Sequence, residues 1–208
     1  MTAAKRKKNE VDMINGPLLP KILIFSATVF LTNLMQLLFN TSDLVVVGRF
    51  AGNDALGAVG ATGALTTLFV NLFIGFSVGV SVVCTHCYGS GDMKGFRETV
   101  TTSVSLSAIC GTILAVGGFF LSRGMLELMD TPESLLTMAA DYLKIYFLCM
   151  PALMFFNYGA AILRSIGNTK TPMIILGVSG LTNVVLNLIF VIVFKLGVIG
   201  VALATTVT

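Results

Sequence analysis

Charged side chains are so sparse in this chain that the distances between them constrain the fold more tightly than any motif does. With the single histidine, His86, set aside, the uncharged stretches run over 22–42, 55–91, 99–122, 145–163, 171–194 and 196–208. An α-helix rises about 1.5 Å per residue and needs roughly 20 mostly apolar residues to cross a ~30 Å hydrocarbon core. The first five stretches are long enough, and the sixth, with 13 residues, stops part-way. Only 11% of residues are charged and 55% are hydrophobic, whereas about a quarter of a soluble domain is charged. The expected fold is an all-α membrane protein, a bundle of about six transmembrane helices with the last one incomplete.

Loop charges give the expected orientation. Residues 1–16 carry Lys5-Arg6-Lys7-Lys8, and the apolar run behind them is too long for a signal-peptide core and lacks a small-residue cleavage site. Alternating the loops from a cytoplasmic N-terminus puts Lys5, Arg6, Lys7, Lys8, Lys21, Lys94, Arg97, Arg164 and Lys170 inside. Only Arg49, Arg123, Lys144 and Lys195 fall outside, beside Glu127, Asp130, Glu133 and Asp141. This excess matches the positive-inside rule for a multi-pass protein of the inner (plasma) membrane. The net charge of +3 therefore reports topology and contact with the lipid bilayer, and it supplies no reason to invoke nucleic acid.

Two segments follow from this reading: a basic cytoplasmic tail over 1–16 and a transmembrane region over 17–208. Helices are expected at about 20–47, 56–84, 98–121, 136–163, 172–194 and 198–208. Residues 48–54 read as a short outer loop, Gly89-Ser90-Gly91-Asp92 as an inner turn, Asp130-Thr131-Pro132-Glu133 as an outer helix start, and 167–172 as a tight inner loop. Pro151 lies within the fourth span and should kink it. Gly75 and Gly79 form a small-xxx-small pair in the second span, the expected packing seam.

The first span carries Asn33, Gln36, Asn40 and Asp43 at steps of three, four and three, which places them on one helix face. Polar groups within a membrane must find protein or water. Asp43 therefore marks either the interfacial helix end, hydrated or paired with Arg49, or a carboxylate facing a cavity and able to bind a proton or Na⁺. The deeper amides favour the cavity, because a solvated helix end needs no polar stripe below it. In the fifth span Ser179, Asn183 and Asn187 repeat at steps of four, as helix-bridging groups or as the lining of a pathway. Asn71 and Asn157 stand alone in their spans and read as interhelical bridges.

Enzymatic chemistry finds no support. Cys84-Thr85-His86-Cys87 invites a metal reading, yet a structural zinc site needs four ligands and the second pair is missing. Nor is there a nucleophile elbow, a Walker loop or an inward-facing carboxylate dyad. Tyr142 and Tyr146 read as interfacial belt and core.

Four stretches together carry a family resemblance. Residues 43–49 (DLVVVGR) followed by 55–60 (ALGAVG), 75–81 (GFSVGVS) leading into 88–92 (YGSGD), 164–173 (RSIGNTKTPM) and 197–205 resemble, in order, signatures of the multidrug and toxic compound extrusion (MATE) transporters. The resemblance implies twelve helices in two six-helix lobes, of which this chain is the N-terminal one. It also implies H⁺- or Na⁺-driven antiport of amphipathic, often cationic small organic molecules by alternating access, with no other cofactor. Asp43 matches the coupling acid of many members, with Na⁺ possible there, and Asn183 matches a polar residue of the fifth span. Asn187 stands where some members carry aspartate, and Asn168 where many do. Asn33, Gln36, Asn40 and Ser179 are then expected to line the cavity. Completing that cavity requires a C-terminal lobe or a second copy of the chain. Two other readings fit a polar membrane bundle: a lipid-linked saccharide flippase of the same superfamily, which calls for a basic lumen, and a non-transporting membrane scaffold.

Overall fold

A computed structural model of the chain describes residues 18–208; the tail over 1–16 lies outside the described residues. The elements are α1 (Leu18–Val46) continuing into a π-helical turn (Val47–Ala51), α2 (Asn53–Ser90), α3 (Met93–Leu128), α4 (Glu133–Leu148), α5 (Met150–Ser165), α6 (Lys170–Leu188) continuing into a second π-helical turn (Ile189–Val193), and α7 (Gly197–Val207). Among the described residues, four helices are long and apolar enough to cross a membrane, and α4 with α5 make a fifth, bent span. The 11-residue α7 is apolar but shorter.

The helices outrun their uncharged stretches at both ends. Charges mark where hydrocarbon ends, while helix ends are set by caps. Thus α3 starts at Met93 because the Asp92 side chain accepts from the Gly95 backbone N–H at 2.9 Å, a standard N-cap. Gly91 takes the left-handed conformation (φ 78°) that ends α2. The expected loop over 48–54 is a correction: Val47–Ala51 stays helical with a widened turn, and only Gly52 breaks it. The fourth span is two helices meeting at Cys149 with a 48° bend. Pro151 lies in the first turn of α5, where a missing N–H is tolerated, so the break falls just before it.

The main core joins α2, α3, α4 and α5. Phe73, Leu126, Leu143, Phe147 and Met150 are fully buried in it, and the Phe69 and Phe147 rings meet edge to face at 5.2 Å. Glycine admits the bulky partners. A Cβ on Gly111 would lie 2.6 Å from the Pro151 Cα, and one on Gly118 would collide with the Phe147 ring. Pairing 111 with 151 and 118 with 147 also shows that α3 runs antiparallel to the bent span. Gly75 and Gly79 have nothing within 4 Å of a Cβ, so the seam expected there is absent from this lobe. A spacing of four makes a groove, and a groove binds only where a partner enters it.

α1 stands apart from that core, with no buried residue in its most apolar stretch. It packs chiefly along α6. A Cβ at Gly177 would lie 2.9 Å from Met35 Cε, and one at Gly180 would meet the ring of Phe39. These pairings ascend together, so α1 and α6 run parallel. A second apolar cluster closes the end of the lobe where both helices finish: Val46, Val47, Ala55, Val59, Tyr142, Val191, Val198, Val201 and Ala202.

Candidate functional site

The parallel register of α1 and α6 decides where the polar residues meet. Phe39 sits on Gly180, and Asp43 follows Phe39 by one turn. Asn183 and Asn187 follow Gly180 by one and two turns on the same α6 face. Asp43 is thereby delivered to Asn187, whose Nδ2 donates to Asp43 Oδ1 at 2.5 Å, across 144 residues of sequence. The same nitrogen donates to Asn183 Oδ1 at 3.0 Å. Asn183 Nδ2 in turn donates to Thr208 Oγ1 at 3.3 Å, and Ser179 Oγ donates to the Thr208 carbonyl at 2.5 Å. One hydrogen-bonded line thus ties α1 to α6 and α6 to the residue that follows α7.

Burial differs along this line. Asn187 is fully buried and Asn183 nearly so, while Asp43 is half-buried. Asp43 forms no ion pair with Arg49, which is exposed; among the described residues the ion pairs are Lys94–Glu98, Arg123–Glu127 and Lys144–Asp141. Asn187 Oδ1 is buried without a hydrogen-bond partner. Tyr142, from α4, packs in the apolar cluster beside Val46 and Val47 and lies within electrostatic reach of Asp43. Its ring stacks on Tyr146 at 6.3 Å.

The two polar clusters read from sequence are therefore one cluster at Asp43, Asn183, Asn187 and Ser179. The other stripe residues do not join it. Asn33, Gln36 and Asn40 are exposed on the flank of α1 beside the α6 seam. Asn157 donates to Leu153 O within its own helix at 2.8 Å, a correction to the interhelical bridge expected of it. Asn71 is exposed and bridges no other helix among the described residues. Thr208 and Tyr142 were missed as site neighbours: one is a threonine among several near the end of an apolar run, and the other reads as an interfacial aromatic. Cys84 and Cys149 are buried free thiols, and Cys149 Sγ lies 2.9 Å from Thr206 Oγ1.

A helical lobe of membrane-length spans with a carboxylate bonded to a buried amide between two of them belongs to the class of polytopic membrane proteins. The comparisons agree. A sequence profile described as MatE matches residues 29–189, and the chain belongs to this family, the MATE transporters. A probable multidrug resistance protein of Bacillus subtilis, YpnP, is 29% identical over 194 residues, covering 93% of this chain and 44% of that protein. A second from the same organism, YoeA, is 30% identical, covering 89% and 41%. A MATE family transporter solved in an outward-facing conformation superposes with a TM-score of 0.89 at 25% identity, covering 98% of this chain and 45% of that one. An inward-facing structure gives 0.77 at 26% identity, covering 83% and 39%. The chain thus spans less than half the length of the relatives it matches and has the fold of one transporter lobe.

Proposed function

We propose that this lobe works in a cation-coupled antiporter that exports amphipathic, often cationic organic molecules across the inner (plasma) membrane, with its N-terminus in the cytoplasm. The observation that carries the reading is the Asp43–Asn187 hydrogen bond, the point at which α1 is polar-linked to α6. Titration or ion binding at that point acts on the contact between two helices, as coupling requires. Ionised, Asp43 accepts from Asn187 and gives the cavity the negative charge that attracts a cationic substrate. Binding of H⁺ or Na⁺ neutralises it, weakens substrate binding and shifts the population toward the opposite access state. Asn33, Gln36 and Asn40 present amides along the exposed α1 flank, and Ser179 lies at the Thr208 end of the line, the roles of a cavity lining. Names of relatives support export of this substrate class, since YpnP and YoeA are named as probable multidrug resistance proteins.

Cells or vesicles carrying the complete transporter should pump out a cationic dye when an H⁺ or Na⁺ gradient is imposed. Asp43→Asn should abolish the gradient-driven part while leaving the protein in the membrane. Dye efflux that follows the gradient equally well in the variant overturns the coupling role.

A further inference from the structure

The Asn187 carboxamide is bonded at one end only. Its nitrogen donates to two acceptors, Asp43 Oδ1 at 2.5 Å and Asn183 Oδ1 at 3.0 Å, which uses both N–H bonds. Its oxygen is fully buried with no partner. Buried acceptors are nearly always paired, because an unpaired one retains the cost of leaving water. Packing alone gives no reason for it, since leucine fills a similar volume without a polar atom.

The unpaired oxygen makes sense once both forms of Asp43 are considered. An ionised carboxylate only accepts hydrogen bonds, so only the NH₂ end of Asn187 can face it. A protonated carboxyl group carries an O–H that needs an acceptor. Asn187 Oδ1 is an acceptor with nothing bound to it, on the side chain already in contact with Asp43. A half-turn about the Cβ–Cγ bond exchanges the two ends of the amide, and this terminal torsion is broad and roughly two-fold in asparagine. The exchange needs no backbone movement. It does set two amide oxygens, Asn187 Oδ1 and Asn183 Oδ1, against each other, so the Asn183 amide must turn as well and give up its bond to Thr208 Oγ1. A change at Asp43 on α1 is therefore passed through α6 toward the α7 side.

We propose that Asn187 is a positioning residue that reads the charge of Asp43 by turning its amide: nitrogen toward the carboxylate when Asp43 is ionised, oxygen toward it when Asp43 is protonated. The inference rests on the reading of Asp43 as the coupling acid. It adds that asparagine at 187 makes a one-proton site with a neutral reader, where aspartate would add a second charge. The other groups near Asp43 are few. Tyr142 of α4 packs in the apolar cluster with Val46 and Val47, one turn beyond Asp43, and Arg49, Asp54 and Lys195 are exposed at the same end of the lobe. α7 contributes no charged side chain, and the one charge within α6 is Lys170, at its opposite end.

The test is solid-state NMR on the protein in liposomes, with ¹⁵N-labelled asparagine and ¹³C-labelled aspartate, the signals being assigned from Asn187→Gln and Asp43→Asn. As pH is lowered through the titration of the Asp43 carboxyl carbon, the dipolar coupling between Asn187 Nδ2 and that carbon should fall roughly threefold, as the oxygen takes the nearer position. A coupling that stays constant while Asp43 protonates overturns the proposal. So does its loss on adding Na⁺ at a pH where Asp43 remains ionised, which makes the oxygen a metal ligand. The two readings fail separately: a fixed amide removes only the reader, whereas gradient-driven efflux in Asp43→Asn removes the coupling role beneath it.

Discussion

Replacing Gly180 with alanine tests whether α1 is seated on α6 in the register that brings Asp43 to Asn187. The new Cβ would fall on the ring of Phe39, and overpacking of this kind costs about 1–3 kcal/mol. Alanine in place of glycine inside a helix returns about 0.8–1.0 kcal/mol, so the net change lies between about zero and 2 kcal/mol of destabilisation. For a chain of this length that lowers Tm by up to about 8 °C. The control is Gly79→Ala, where no atom lies within 4 Å of the new Cβ and only the propensity gain of about 0.8–1.0 kcal/mol remains. Two buried free thiols, Cys84 and Cys149, report unfolding through a thiol-reactive fluorescent dye in detergent. Phe39→Leu in the Gly180→Ala background should recover the loss, giving a favourable coupling in a double-mutant cycle. Gly180→Ala stabilising as much as Gly79→Ala would show that Phe39 does not rest on Gly180, and the delivery of Asp43 to Asn187 would fall with it.

Asn187→Leu, measured by the same thermal assay at a pH where Asp43 is ionised, should cost about 1.5–3 kcal/mol, the range for a hydrogen bond to a charged group. Most of that loss should vanish in an Asp43→Leu background, where the bond has no acceptor to serve. Phe147→Ala should cost about 3–5 kcal/mol, because the ring is fully buried at the centre of the α2–α5 core and meets Phe69 at 5.2 Å. Asp92→Ala should cost about 1 kcal/mol through loss of the bond to Gly95 N–H, with gradient-driven efflux unchanged.

The sequence made some levels of this structure readable and left others out of reach. Uncharged stretches revealed the spans because the membrane penalises charge directly, and Pro151 marked the bend because a proline lacks the backbone N–H that would continue the preceding helix and is accommodated in the first turn of a new one. Helix ends were misjudged wherever a helix continues past the hydrocarbon, as α3 does over Met93–Arg97. The packing seam was misplaced for another reason. Gly75-xxx-Gly79 and Gly177-xx-Gly180 both present small residues, and only the fold brings Met35 and Phe39 to the second pair. The site was legible in its parts: periodicity put Asp43 on a polar face of α1, and Ser179, Asn183 and Asn187 on one face of α6. Their union depends on how two parallel helices register 144 residues apart, and no local period encodes that. For Asn33, Gln36 and Asn40 the same period gave the correct shared face, but it could not show that they stay exposed while Asp43 is bound.

The proposed coupling requires Asp43 to link ion binding to substrate movement through its contact with α6. The complete transporter in sealed liposomes, driven by an outward gradient of a cationic substrate with no imposed ion gradient, tests it most directly through a fluorescent reporter of H⁺ or Na⁺ in the lumen. Substrate-dependent ion entry is expected for the natural protein, and none above the empty-liposome level for Asp43→Asn. Equal ion movement in the two proteins would contradict it.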